Sequence, residues 1–195
     1  MHNNSDKIKY IFLGDTDSVN IEIIINSHNY LKNKLKYIII CNKYEFDDYL
    51  TKIKSKVRVN EILNPIKFKN YRVNYINIFN IEHKYKEKYK NLLNQLVISN
   101  SLSKSTGYDL VTMPIDKSIF KKKIKFNGLT EYLGMINNCS TFMLMHGEKF
   151  SILPLTTHIN LKDVHKYPFL QLKFPLYFLL VEVYSIQLAL LAFCL

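Results

Sequence analysis

Lys36–Cys41 reads KYIIIC, with no polar residue between its ends. A strand with one wet face alternates apolar and polar residues. An unbroken run must instead be covered on both faces, which is the condition of a central strand in a parallel sheet. Further strand signals stand at Ile8–Leu13, Arg72–Phe79 and Tyr108–Met113, separated by stretches long enough for helices. The order strand, helix, strand, helix, strand, helix, strand predicts an α/β domain with right-handed crossovers. Gly14-Asp15 ends the first run, and Pro114, which lacks an N–H for the ladder, ends the last.

The helical segments follow from apolar spacing. One is expected from about Ser18 to Leu35. A second carries Phe46, Tyr49, Leu50, Ile53 and Val57 on one face. Residues 58–71 contain Pro65 and little periodicity, so they read as irregular. The third helix has the clearest stripe, with Tyr85, Tyr89, Leu92, Leu93, Leu96 and Val97 at i, i+4, i+7, i+8, i+11 and i+12. Ser103–Gly107 breaks it. An apolar run from Phe150 to Leu155 predicts one more strand.

Charge limits the partners. The formal net charge is +11, which raises the prior for an anionic partner. Of the 27 basic residues only Arg58 and Arg72 are arginines, however, and arginine is the better reader of phosphates and base edges. Lys84, Lys86, Lys88 and Lys90 lie mostly off the apolar stripe of the third helix. Solvated lysine faces, and no nucleic-acid partner, are the reading adopted. Cys41, Cys139 and Cys194 are isolated, with no CxxC spacing for a zinc knuckle or a disulfide framework, as expected of reduced thiols in a cytoplasmic protein. The first ten residues, MHNNSDKIKY, lack a signal-peptide core.

Three polar motifs close apolar runs in the second half: Met113-Pro114-Ile115-Asp116-Lys117, Gly128-Leu129-Thr130-Glu131, and Thr156-Thr157-His158-Ile159-Asn160-Leu161-Lys162-Asp163-Val164. In open α/β sheets ligands bind at such strand ends. Each motif also has a purely structural explanation. His158 could be a hydrogen-bonded histidine at a strand terminus. Thr130 could be an N-cap, with Glu131 facing the helix dipole. Lys117 could be one more surface lysine beside Lys121, Lys122 and Lys123. His28, His83 and His146 show no metal spacing and are read as structural.

In order and spacing the three motifs resemble the 4-hydroxythreonine-4-phosphate dehydrogenase (PdxA) family, which carries Thr-x-Pro-Ile-Asn-Lys, Gly-His-Thr-Glu and Thr-Thr-His-Ile-Pro-Leu-Lys-Asp-Val. The resemblance covers roughly residues 8–165. It implies an incomplete α/β fold like that of the isocitrate and isopropylmalate dehydrogenases, which bind NAD without a Rossmann glycine loop. It further implies a homodimer that uses NAD and a divalent metal (zinc, magnesium or cobalt). The implied reaction is oxidation and decarboxylation of a small phosphorylated amino acid on the way to pyridoxal phosphate. On this resemblance His158 is a metal ligand and Thr130 a substrate contact. Two positions depart from the pattern. Leu129 replaces the motif histidine and can neither donate a hydrogen bond nor carry charge. Gly14-Asp15-Thr16-Asp17-Ser18-Val19-Asn20-Ile21-Glu22 keeps only the Gly, Asp and Glu of the family's Gly-Asp-Pro-Ala-Gly-Ile-Gly-Pro-Glu.

After residue 165 the text changes. Tyr167–Leu195 has only Lys173 and Glu182 as charges. Three readings compete for this tail, residues 166–195: a frameshift, a membrane anchor over Phe174–Leu195, and a buried core helix. The chain therefore divides into a PdxA-like region, 1–165, and an aberrant apolar tail. For function, an NAD-dependent dehydrogenase stands beside a non-catalytic remnant of that family and a basic, membrane-anchored interaction protein.

Overall fold

A computed structural model of the protein describes residues 8–120, 128–141, 143–147, 151–152, 160 and 162–163. The chain divides into two units, residues 1–128 and residues 129–195.

The first unit is built on β1 (Ile8–Phe12) and β2 (Lys36–Cys41), paired in parallel with Ile8 opposite Lys36 and Phe12 opposite Ile40. With β3 (Val59–Glu61), β4 (Ile76–Asn80) and β5 (Leu110–Thr112) they form a parallel sheet in the order β3-β4-β2-β1-β5. The unbroken apolar runs are explained by the two cores, one on each face. Ile11, Leu13, Tyr37, Ile39 and Cys41 join one cluster with Ile21 and Ile24 of α1 (Asn20–Leu31) and Phe46 and Leu50 of α2 (Lys43–Lys52). Ile8, Tyr10, Ile38 and Ile40 join the other, against which Ile98 and Leu102 of α3 (Lys88–Thr106) pack. Each fully buried isoleucine contributes ~1.5–3 kcal/mol, whereas the exposed Lys9–Asp109 ion pair at 2.5 Å contributes at most ~1 kcal/mol. The sheet is therefore held by its two apolar faces.

Several expectations need correction. Val59–Glu61 pairs with β4 inside the stretch read as irregular, because three residues are too few to show a period. The strand expected from Arg72 begins at Ile76. The first helix is shorter than expected at both ends. The second stops at Lys52, leaving Ile53 43% exposed and Val57 beyond it. The third starts at Lys88, so Tyr85, Lys84 and Lys86 precede it. Its inner face is rotated from the expected stripe. Leu92 and Leu96 are buried with Asn91, Gln95 and Ser99, while Val97 is 38% exposed. Asn91 turns inward because it binds the preceding loop: its Oδ1 accepts from the N–H groups of Lys84 and Tyr85, and its Nδ2 donates to the carbonyl of Tyr85. The strand at Tyr108–Met113, expected to be buried, is a three-residue edge strand with Val111 exposed.

The helix ends obey local chemistry. Asn42 caps α2 by accepting from the N–H of Glu45 at 3.0 Å. Gly107 closes α3 at φ +69°, with its N–H donating to the carbonyl of Ser103.

The second unit holds α4 (Leu129–Asn137) and a two-stranded antiparallel sheet, β6 (Met145–His146) and β7 (Ser151–Ile152). β7 is the described part of the strand expected at Phe150–Leu155. Among the described residues no helix is long and apolar enough to cross a membrane. The apolar tail lies outside them.

His28 on α1 is buried. Its Nδ1 lies 2.6 Å from Tyr37 Oη, and its Nε2 is 3.4 Å from the carbonyl of Asn74. Burial lowers its pKa, and the nearby Lys32 acts in the same sense. The unfolded chain therefore binds the extra proton between that lowered value and the ordinary ~6.5. Stability should be at its full value above about pH 6.5, fall as pH drops through that window, and level off below it. Urea unfolding midpoints measured from pH 8 to 5 should show this fall, and H28Q should flatten it. An unchanged slope in H28Q would locate the dependence elsewhere.

Candidate functional site

In the sheet order, β1 lies between β2 and β5, so the chain leaves β1 toward one side and returns after α3 on the other. This reversal makes the carboxyl ends of β1 and β5 the place where an open α/β sheet leaves a crevice.

Two residues set the geometry there. Gly14 follows β1 with φ +73°, and a Cβ on it would stand 2.7 Å from the carbonyl oxygen of Pro114 and 3.0 Å from Ile115 Cγ2. Both the conformation and the contact require glycine. Asn20, the first residue of α1, is fully buried. Its Nδ2 donates to the carbonyls of Pro114 at 2.7 Å and Leu13 at 2.8 Å, tying the two strand ends together. Its Oδ1 is buried without a hydrogen-bond partner. An unpaired buried acceptor costs ~1–3 kcal/mol, so this oxygen is a ready acceptor for an O–H or N–H donor.

Around this junction lies a charged network. Asp15 is buried, and its Oδ1 accepts from the N–H of Asp17 at 3.1 Å and from Lys88 Nζ at 2.7 Å. Lys88 also reaches Asp17 at 2.5 Å. Partial burial alone would lower the Lys88 pKa, but its bonds to the two carboxylates outweigh this and hold it above the ordinary value. The same bond to Lys88 lowers the pKa of Asp17. Lys88 opens α3, where a cation opposes the helix dipole, so the two carboxylates offset an unfavourable position. Thr16 Oγ1 donates to Glu45 at 2.8 Å, and His83 Nε2 lies 3.7 Å from the same carboxylate. The loops after β1 and β4 are thus cross-linked to the first turn of α2 at one end of the sheet. Cys41 ends β2 with a thiol that burial drives strongly upward in pKa, so it is no nucleophile.

The residues expected to bind are placed as follows. Lys117 is exposed at the start of a short 3₁₀ turn (Lys117–Phe120), and Asp116 caps that turn by accepting from Ser118 N–H at 2.8 Å. Thr130 is half-buried in the first turn of α4 in the second unit. Because that helix begins at Leu129, Thr130 is not its N-cap. His158 lies outside the described residues. His146 Nδ1 pairs with Ser151 Oγ at 2.6 Å across β6 and β7, in keeping with its structural reading. Among the described residues no group of three or more His, Cys, Asp and Glu could hold a metal ion. The sequence reading passed over Asn20, Glu45 and His83 as a partner of Glu45, and took Lys88 for a solvated lysine, whereas it is paired with Asp15 and Asp17. Only Asn20 carried a local signal, a buried-size polar residue just after a Gly-Asp strand end.

G14A should destabilise the first unit by ~1–3 kcal/mol through strain and contact with Pro114, and N20A by a similar amount through loss of the tie between the strand ends. Urea unfolding measures both. Values within ~0.5 kcal/mol of the parent would show that the junction does not hold the crevice.

The family model for pyridoxal phosphate biosynthetic protein PdxA matches residues 19–167. The 4-hydroxythreonine-4-phosphate dehydrogenase of Aquifex aeolicus is 27% identical over 180 residues, covering 80% of this chain and 51% of the relative. That of Hydrogenobaculum sp. is 40% identical over 57 residues, covering 28% of this chain and 18% of the relative. Among solved structures, the enzyme of that name from Burkholderia phymatum aligns with a TM-score of 0.68 at 17% identity, over 82% of this chain and 52% of that one. The one from Klebsiella pneumoniae aligns with a TM-score of 0.68 at 17% identity, over 81% and 53%. The chain spans about half the length of the Aquifex relative and of both structures. With a family model matched over most of its length and a parallel α/β sheet in common with these structures, the chain belongs to the PdxA family of pyridoxal phosphate biosynthetic proteins.

Proposed function

We propose that the chain carries the amino-terminal part of an NAD-dependent 4-hydroxythreonine-4-phosphate dehydrogenase. The reaction is oxidation of the hydroxyl of 4-phosphooxy-L-threonine, followed by loss of carbon dioxide to give 3-amino-2-oxopropyl phosphate. The observation that carries this reading is the family match over residues 19–167, which takes in the motifs at Lys117, Thr130 and His158. On this reading the sheet is the first part of an isocitrate/isopropylmalate-dehydrogenase-like fold, and the active form is a homodimer in the cytoplasm.

The residues divide the work. By the family resemblance Thr130 offers a hydroxyl to the substrate, and within the first unit the crevice at Gly14 and Asn20 has a rigid wall with one open acceptor. A divalent metal at His158 would act as a Lewis acid on the substrate hydroxyl. Among the described residues no group of three or more His, Cys, Asp and Glu could hold a metal ion, and His158 lies outside them, so no step is assigned to the metal. One substitution favours a second reading, a non-catalytic remnant of the family. Leu129 stands where the motif has histidine, and a substrate group facing it forfeits a contact of ~1–3 kcal/mol.

The full chain, supplied with 4-phosphooxy-L-threonine, NAD and a divalent metal, should produce NADH, followed by absorbance. H158A should abolish it and T130A reduce it. L129H should raise kcat/KM by about 5- to 160-fold, the rate equivalent of the recovered contact. No NADH from folded protein, with L129H equally silent, would establish the non-catalytic reading.

A further inference from the structure

The only two arginines of the chain meet at one tyrosine ring. Arg58 Cζ lies 5.9 Å and Arg72 Cζ 5.6 Å from the centroid of Tyr75. They are brought there by unrelated means. Val59 of β3 is registered with Ile76 of β4, and Ile76 N–H donates to the carbonyl of Arg58 at 2.9 Å, so Arg58 and Tyr75 are cross-strand neighbours. Arg72 and Tyr75 are the two ends of a turn, with Tyr75 N–H directed at the Arg72 carbonyl at 3.4 Å. Asn74 at φ +68° occupies the turn position that favours glycine or asparagine. The side chain of Asn77, itself 1% exposed, grips this turn. It accepts from Arg72 N–H at 3.0 Å and donates to the carbonyls of Arg72 at 2.9 Å and Tyr75 at 3.0 Å.

The backbone beneath both guanidiniums is therefore fixed, while both side chains are exposed. Neither arginine has a carboxylate partner among the described residues. The surrounding sequence is mostly positive, with Glu61 its one acidic residue. Lys52, Lys54, Lys56, Lys67 and Lys69 flank the pair, and no Asp or Glu occurs between Asp48 and Glu61 or between Glu61 and Glu82. Lysine serves everywhere else in the chain, so a role needing charge alone would not single out these positions. What arginine adds is a planar fork of donors that binds an oxyanion bidentately and lies on an aromatic ring.

We propose that Arg58, Arg72 and Tyr75 form a binding site for a phosphate-class oxyanion. The site lies at the amino ends of β3 and β4, the opposite end of the sheet from Gly14 and Pro114, and it does not rest on the dehydrogenase reading. Both guanidiniums donate N–H groups to the one anion, and the Tyr75 ring holds them against the sheet.

With only two arginines, selective ¹⁵N-arginine labelling of the full chain gives one side-chain Nε–H signal for each. Inorganic phosphate, titrated at constant ionic strength against chloride, should shift both signals along a single saturating curve. R72K keeps the charge and loses the fork, and it should weaken the response of Arg58 about 10-fold. Y75L should weaken it as well, whereas K117A should leave it unchanged. Phenyl phosphate tests the source, since the tighter of the two probes tells whether the ligand is free phosphate or a phosphate monoester. Linear shifts without saturation, separate curves for the two arginines, or an unaltered curve in R72K would overturn the proposal.

Discussion

The close approach of the ends of β1 and β5 is the contact on which the rest of the first unit depends. β1 has hydrogen-bonded neighbours on both sides, and the chain reaches the second of them only after passing through β2, β3 and β4. The return is secured at its far end by Met113 N–H to the carbonyl of Phe12, and by Asn20 spanning the carbonyls of Leu13 and Pro114. Gly14 makes that spacing possible, since any Cβ would meet Pro114. A parallel sheet is assembled from distant segments, and a wedge at this junction would move the loop that carries Asp116 and Lys117 away from the one that carries Asp15.

The charged network beside the junction has a different energetic character. Asp15 is buried and Lys88 only partly so, which makes their ion pair dearer to break than the exposed pairs of Lys52–Asp48 or Lys90–Glu87. Its value lies in position as much as in stability. Lys88 holds the start of α3 against the loop after β1, and Asn91, one turn later, holds the loop after β4. The loops at the carboxyl end of the sheet are thus fixed to one another before any ligand arrives, the condition for a site that binds without reordering its walls.

The two ends of the sheet carry opposite chemistry. At the carboxyl ends Asp15, Asp17 and Glu45 are satisfied by Lys88 and Thr16. At the amino ends of β3 and β4, both arginines face solvent on a tyrosine with no carboxylate partner among the described residues. The first of these ends is where the termini of β1 and β5 converge. The second follows from the local turn at Arg72–Tyr75 and from β3, a strand of three residues.

How much was legible in the sequence differs from element to element. Lys36–Cys41 announced a doubly covered strand because burial on both faces demands an unbroken apolar run, and that demand is local. Gly14 and Pro114 announced strand ends because their backbone restrictions are their own. β3 was illegible because three residues carry no period, and the rotation of α3 was illegible because Asn91 faces inward only to bind a loop it meets in the fold. The same holds for the site. The motif residues Lys117, Thr130 and His158 stood out by spacing along the chain. Lys88 with Asp15, Glu45 with Thr16, and Arg58 with Tyr75 did not, since each pair joins segments that only the parallel pairing of the sheet brings together. Local sequence determined which segments are strands and helices. Helical spacing records a local pair such as Lys52–Asp48, but tertiary structure alone decided which charges from distant segments meet, because such a pair depends on distance in space.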